Sequence, residues 1–424
     1  MTENIQVPAD SFPYDGDLAS IDSEKIKMRN LIAWLEEQGA TFPSAKIETG
    51  PGWREARASA PIKAGSLIMH IPKHLFITTE DAKASEIGRL IAASNCDISD
   101  AGYMAAHLAG MKRQSSFWDP YLNVLPNSFP DHPDFLTEPD LEYLKGSYVL
   151  RIIRRRRNRL AYEYEQLRSC LPKEKIFMRE EYAWGKCIYF TRTFTVKISG
   201  VKTNALIPLA DMLDHSASPN ALWGSESSRG FFFSAVKNIE INEALTISYW
   251  RKCSGYTLAY FGFCLEGCPD NVAEIALPPM GPDHPCFEDA KNLGVERNGM
   301  RAFRVPRDFD AIDSRALFSY LRLSAITHLS DIGAGNAWSD IGQVGVINDT
   351  NELSAMTALG VACRSALKEF DTSEAEDDIL LRDDTLSQKL RNLVQVRRGE
   401  KVILNDFLNL AETTISALVA DVKR

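Results

Sequence analysis

The chemistry of this chain concentrates in the stretch TNALIPLADMLDHSASPN, which ends at Asn220. It carries a tight polar cluster, Asp211, Asp214, His215, Ser216 and Asn220, set against apolar strand-like residues. Further along, Tyr249 stands at the end of ALTISYW, and an aromatic knot of Tyr260, Phe261 and Phe263 surrounds Gly262. Three chemistries are open to such a cluster. Asp211, Asp214 and His215 have metal-ligating side chains, but their spacing is tight and no second cluster completes a shell. A hydrolase needs a nucleophile partnered with a histidine, and the chain has no nucleophile elbow. The third reading is a capped turn in which His215 packs and bonds a backbone carbonyl.

The elements that must hold these residues follow from hydrophobic period and punctuation. Met1 to Asp22 is acidic and polar, with Pro8 and Pro13 and no apolar period, so a flexible tail is expected. Ser23 is placed to cap a helix whose apolar face is Ile26, Leu31, Ile32 and Leu35, with Gly39 as its stop. Leu67 to Ile71, bounded by Gly65 and Pro72, reads as a strand. From about residue 80 to 182 the period turns helical: Ala101 to Met111, Glu138 to Lys145 and Tyr148 to Leu167, around an irregular segment from Phe117 to Phe135. Strands and turns return between Ala205 and Phe263. Beyond Pro278 the helical period covers Leu317 to His328, Glu352 to Phe370, Leu386 to Val396 and Val402 to Val419. The pattern predicts an α+β chain: a β-rich domain over 23–284 interrupted by a helical insertion, then an all-α domain over 285–424.

Bulk properties narrow the function. The 424 residues carry a formal charge of -9, with 45% hydrophobic and 25% charged residues, a globular balance that argues against a dedicated nucleic-acid binder. The run Arg151, Arg154, Arg155, Arg156, Arg157 and Arg159 reads as a solvated helix face. No secretion or transit signal is evident, which sets the expected location in the cytoplasm or nucleus with no membrane partner. The eight cysteines are expected as reduced, mostly buried thiols. Cys264 and Cys268 lack a second pair or a nearby histidine, so no metal is expected.

Several of these segments, taken together, resemble the SET domain in the branch of the Rubisco large-subunit lysine methyltransferase and the actin-histidine methyltransferase. LADMLDHS is similar to that branch's D-(M/L)-x-N-H-S segment, ISYW to its (F/I)-x-Y-G segment and YFGF to its x-G-F segment. Tyr249 and Phe261 stand twelve residues apart, the branch's usual spacing. SFWDPYLNVLPNSFPDHPDFLTEPDLEYLKG resembles the branch's insertion, and VRRGEKVIL resembles the closing helix of its substrate-binding domain. The likeness runs in order over nearly everything after Ser23.

The resemblance implies S-adenosylmethionine as cofactor, with catalysis by positioning and electrostatics in a dry site. It makes Tyr249 the catalytic tyrosine, orienting the target amine and touching the polarised methyl through weak C–H···O bonds. Asp211, Met212, Leu213, Asp214 and His215 match the segment that passes beneath the cofactor. Asp214 stands where the family has asparagine: it keeps an acceptor for the cofactor ammonium and loses the amide donor. Arg192 matches an arginine at the cofactor carboxylate, and Phe261, Gly262 and Phe263 match the adenine and channel lining. Gly52 stands for one glycine of the family's first loop and Glu55 for another, with Trp53, Arg54 and Glu55 lining the pocket. Phe261, where lysine-methylating relatives often carry tyrosine, implies a more open site and more than one methyl per lysine. The function so implied is lysine N-methylation of a non-histone protein, a ribosomal or translation protein among the candidates. The protein substrate would engage the SET channel and the C-terminal domain. Histidine methylation and a binding protein that keeps the fold without the chemistry are the alternatives.

Overall fold

The computed structural model describes residues 18–50, 53–198, 200–226, 229–328 and 341–422. Most of the expected tail (residues 1–17) and Gly52 lie outside them. The chain divides into two compact units: Met1–Leu136, Arg154–Arg251 and Tyr260–Gly262 form the first, and Thr137–Ile153, Lys252–Ala259 and Phe263–Arg424 form the second.

In the first unit the opening helix spans Leu18–Glu37. It therefore begins upstream of Ser23, which lies inside it and does not cap it. Met28, Leu31 and Leu35 recur at helical spacing and are buried, whereas Ile26 is exposed and drops out of the expected face. Gly39, at φ +84°, ends the helix as expected, because that backbone region strains any residue with a Cβ. The β-rich part is assembled from small sheets. Ala45–Gly50 and Trp53–Ala58 form an antiparallel pair. The strand Leu67–Ile71 lies on Gly230–Ala235, which pairs on its other side with Ala221–Glu226. Ile77–Thr78, Val201–Leu206 and Thr193–Ile198 make a third sheet. Phe231 and Phe233 alternate inward and are fully buried, the period-2 signature of a half-covered strand.

The helical insertion is denser and longer than its sequence period suggests. Thr79–Ala84, Glu86–Ala93, Asp100–Met111, Tyr148–Cys170 and Arg179–Arg192 are helices, so the insertion runs past Tyr182 to Arg192. The β-branched run that follows, TFTVKI, is what ends it. One buried network ties this part together. Glu163, with no side-chain exposure, meets Lys186 and accepts from Tyr182 (2.8 Å) and the Ser99 N–H (3.0 Å). Burial alone would raise its carboxyl, but Lys186 and these bonds hold it down at about 2. Cys96 and Cys170 meet sulfur to sulfur, a departure from the reduced thiols expected; the other six cysteines are free.

Ser254–Phe261 is a helix where strands and turns were expected, with Gly255, Thr257, Leu258 and Ala259 buried along it. The aromatic knot hid this 3.6-residue period. The second unit is helical but also holds a three-stranded antiparallel sheet of Val272–Leu277, Met300–Pro306 and Val295–Arg297. Its tight hairpin turns on Asn298 and Gly299, both at positive φ, and an Asn-Gly pair is the strongest short-range hairpin signal a sequence carries. Helices Ile312–Ser324, Asp349–Lys368, Glu374–Leu381 and Gln388–Val422 complete the unit. The last merges the two expected closing helices into one of 35 residues that passes straight through Gly399. It is long and apolar enough by composition to cross a membrane. Its Ile403, Leu404, Phe407 and Ala411 instead enter the core with Leu317, Tyr320, Met356 and Leu359.

Candidate functional site

The site is built where two short parallel strands, Asp214–His215 and Thr246–Ile247, lie side by side in the first unit. Just upstream, Leu209 adopts φ +71° although it is a buried leucine, and this bend launches the short helical turn Ala210–Met212. Such a conformation costs on the order of 1–3 kcal/mol and persists only where its surroundings impose it. Asn220 clamps the arrangement from below. Its amide donates to the Ala244 carbonyl (2.7 Å) and its Oδ1 accepts from the Thr246 N–H (2.8 Å). Sequence reading placed Asn220 in the polar cluster but did not give it this role.

Tyr249 is held through its hydroxyl, its backbone and its ring. Its Oη donates to the Leu213 carbonyl at 2.8 Å, and its N–H donates to His215 Nδ1 at 3.0 Å. Its ring stacks on Phe261 with centroids 5.5 Å apart and planes 27° apart. Aromatic pairs of this kind contribute about 0.5–1.5 kcal/mol beyond burial. His215 is buried, and desolvation depresses its pKa, opposed in part by a hydrogen bond with the Ile247 backbone. The imidazole is therefore neutral at physiological pH and keeps Nδ1 as an acceptor. The capped-turn reading anticipated a His215 bond to a backbone carbonyl; the ring makes such a bond with the Ile247 backbone and also accepts from the Tyr249 N–H. The next residue, Trp250, is 71% exposed and also at positive φ, 73°. The resembling segment has glycine there.

Arg192 and Asp211 come together, but toward each other. Arg192, at the end of its helix, donates from Nη1 to the Asp211 carbonyl (3.1 Å) and to Asp211 Oδ2 (3.3 Å). Tyr121 Oη donates to the same carboxylate at 2.8 Å. Asp211 has no side-chain exposure, and burial pushes its carboxyl pKa up against the opposing pull of Arg192 and Tyr121. Tyr121 comes from the Pro- and aromatic-rich insertion, a contact no local pattern encodes.

Of the remaining expected site residues, Arg54 stands near enough for its charge to act on the Asp211 carboxylate. Met212 and Leu213 are buried in the main core, and Asp214 is half-buried at the strand pair. Trp53 is 39% exposed and folds its indole over Gly50. Arg54 donates to the Val124 carbonyl at 2.7 Å. Glu55 is buried and paired with Arg57 on its own strand. Gly262, at φ +83°, follows Phe261 in the first unit, whereas Phe263 falls in the second.

One side-chain group, His132, Asp134 and Cys187, has its potential ligand atoms within 4.8 Å of one another. Arg156 Nη2 already donates to Asp134 Oδ2 at 2.9 Å, so a dication there would face a fixed guanidinium. Around Tyr249 the groups suit a sulfonium cofactor. Aromatic faces and carbonyl edges attract a sulfonium cation, and the Asp214 carboxylate is an acceptor for an ammonium.

Comparison with known proteins identifies the domains. Residues 54–250 match the SET domain and residues 283–404 match the Rubisco LSMT substrate-binding domain. The chain is 27% identical to the chloroplastic [fructose-bisphosphate aldolase]-lysine N-methyltransferase of Arabidopsis thaliana, covering 90% of this chain and 82% of that protein. It is 25% identical to the human actin-histidine N-methyltransferase, covering 90% and 68%. Its fold superposes on the LSMT SET-domain structure bound to lysine and AdoHcy with a TM-score of 0.74 at 21% identity, covering 93% of this chain and 92% of that one. Rubisco LSMT bound to AdoMet gives 0.73 at 22% identity, covering 92% and 93%. These define a SET-fold protein methyltransferase. The chain belongs to the SET-domain methyltransferases that carry a Rubisco LSMT-type substrate-binding domain, enzymes whose methyl donor is S-adenosylmethionine.

Proposed function

We propose that this protein is a protein-lysine N-methyltransferase with a non-histone acceptor, and that Tyr249 is its catalytic residue. The observation that carries the reading is the Tyr249 phenol, held on the Leu213 carbonyl beside the Phe261 ring. Because its proton points at Leu213, Oη faces the acceptor as a lone-pair donor. It can accept an N–H from a neutral amine and so aim the nitrogen lone pair. An aliphatic lysine stem suits a wall of stacked aromatic rings, and the ring faces favour the cationic product.

S-adenosylmethionine, when bound, supplies an activated methyl group on a positively charged sulfur. The chain's own contribution is placement. Neutral His215 holds the Tyr249 backbone, Asn220 locks the two strands in register, and Arg192 fixes the Asp211–Asp214 segment on which Leu213 and Asp214 are presented. Asp214 takes the cofactor's ammonium, and Trp53, Arg54 and Glu55 form the strand edge that completes the pocket. The substrate protein engages the C-terminal domain. The absence of a hydroxyl on Phe261 leaves space for successive methyl additions.

The test is mass spectrometry of cell-extract proteins methylated by the purified enzyme with isotope-labelled S-adenosylmethionine. Label on lysine, with di- and trimethyl forms that collapse to monomethyl in Phe261→Tyr, is the expected result; ribosomal and translation proteins are the first acceptors to inspect. Label confined to histidine would overturn the lysine assignment, and monomethyllysine alone from the wild type would overturn the role given to Phe261.

A further inference from the structure

The arginine run is not uniformly solvated. Arg155 is exposed, but the Arg156 side chain is only 11% accessible, and its guanidinium sits against two rings that pack edge-to-face on each other, 4.6 Å from the Phe190 centroid and 4.5 Å from that of Tyr260. Its Nη2 donates to Asp134 Oδ2 at 2.9 Å. The Asp134 N–H in turn donates to His132 Nδ1 at 3.2 Å, and His132 Nε2 reaches the Tyr260 carbonyl at 3.3 Å. With Nδ1 accepting, the tautomer is fixed and Nε2 is the donor. The Cys187 thiol lies against the same pair, 3.4 Å from His132 Nδ1 and 3.8 Å from Asp134 Oδ2.

These groups grip a short segment from both ends. Arg156 covers the Tyr260 ring and His132 holds the Tyr260 carbonyl. The His132 ring also lies under Gly262, so close that a Cβ built there would sit 3.3 Å from His132 Cδ2. The residue between the two gripped positions is Phe261, which forms the wall against the Tyr249 ring. Burying an arginine–carboxylate pair is a poor source of stability, since apolar side chains of similar volume commonly do as well. A guanidinium held on two ring faces and a carboxylate, with a fixed tautomer, gives orientation instead.

We propose that Arg156, Asp134 and His132 are positioning residues for methyl transfer, a relay that sets where Phe261 stands against Tyr249 and hence the rate and extent of methylation. The proposal rests on the site assigned to Tyr249. Lysine at position 156 keeps the charge but loses the forked guanidinium that meets Phe190, Tyr260 and Asp134 together. Glutamine at position 132 keeps a donor near the Tyr260 carbonyl.

The test places 4-fluorophenylalanine at position 261 in the full chain and reads its fluorine resonance. In parallel it measures the affinity for S-adenosylmethionine and the methyl incorporation into one fixed cell extract at saturating cofactor. The wild type should give one narrow line. Arg156→Lys should split or shift it, lower incorporation about tenfold and alter the mono-, di- and trimethyl distribution, with cofactor affinity within about twofold, since one displaced ring changes alignment more than binding. His132→Gln should restore most of the wild-type line, and Arg155→Lys should match the wild type throughout. An unchanged line and unchanged product distribution in Arg156→Lys would overturn the proposal. Should the wild type itself transfer no methyl group, the Tyr249 assignment fails, and the fluorine line still reports whether the relay holds Phe261.

Discussion

Replacing Arg192 separates two jobs that its position allows. Its Nη1 bonds both the carbonyl and the carboxylate of Asp211, whose side chain has no exposure and, among the described residues, has Tyr121 Oη as its other donor and Arg54 as a more distant charge. Arg192→Ala therefore strands a buried carboxylate, a change that costs about 3–5 kcal/mol. In a unit of this size that is a fall in melting temperature of roughly 6–20 °C. The sign of its pH dependence follows from burial, which already raises the Asp211 pKa. Without the guanidinium the folded state holds a proton that the unfolded chain releases, so stability is lost as pH rises. The deficit should be larger at pH 8 than at pH 5. Calorimetric melts at both pH values, with Arg192→Leu/Asp211→Leu as the partner-free control, measure it; the double variant should recover most of the loss. Melting within about 2 °C of wild type, combined with loss of S-adenosylmethionine affinity, would refute the pairing argument and give Arg192 to the ligand directly.

Three further outcomes follow from single observations. Trp250→Gly relieves a tryptophan held at φ +73° and should stabilise the fold by about 1 kcal/mol in a denaturant melt; destabilisation would mean the indole makes a contact that outweighs the strain. Burial pushes the Glu400 carboxyl up to about 8 despite bonds from Ser147 and the Tyr148 N–H. Its folded pKa exceeds the unfolded value, so its contribution is full at low pH and is lost as pH rises toward 8. Glu400→Gln should match wild type at pH 5 and melt higher at pH 9; parallel melting curves at both would contradict the shift. Glu163→Ala leaves Lys186 buried without its carboxylate and should cost about 3–5 kcal/mol, checked by chemical denaturation, whereas a loss under about 1 kcal/mol would show that the network is solvated.

How much of this was legible in the sequence depends on how local each feature is. The strand Leu67–Ile71 and the helices at 100–111, 148–170 and 349–368 follow their apolar periods closely. Tyr249, Leu213, His215 and Phe261 were expected together because the motif spacing survives in the chain, and the structure brings them within bonding or stacking reach of one another. What the sequence hid is tertiary. Tyr121 reaching Asp211, and Arg156 reaching Asp134, join positions whose partners no period or spacing specifies. Arg156 is the clearest case, since Arg154 and Arg155 beside it are exposed and packing against Phe190 and Tyr260 sets it apart. The sheet of the second unit was missed for a different reason: its Asn298-Gly299 hairpin signal was present, but the flanking strands are short and followed by strongly periodic helices.

The most direct test of the central claim is single-turnover methyl transfer from labelled S-adenosylmethionine by the wild type and Tyr249→Phe, with cofactor affinity measured alongside. Losing the phenol that is held on Leu213 and aims the acceptor nitrogen should slow transfer about 10²–10³-fold, the scale of removing one preorganised polar group, while cofactor affinity stays within a few-fold. Transfer by Tyr249→Phe at the wild-type rate would contradict the account.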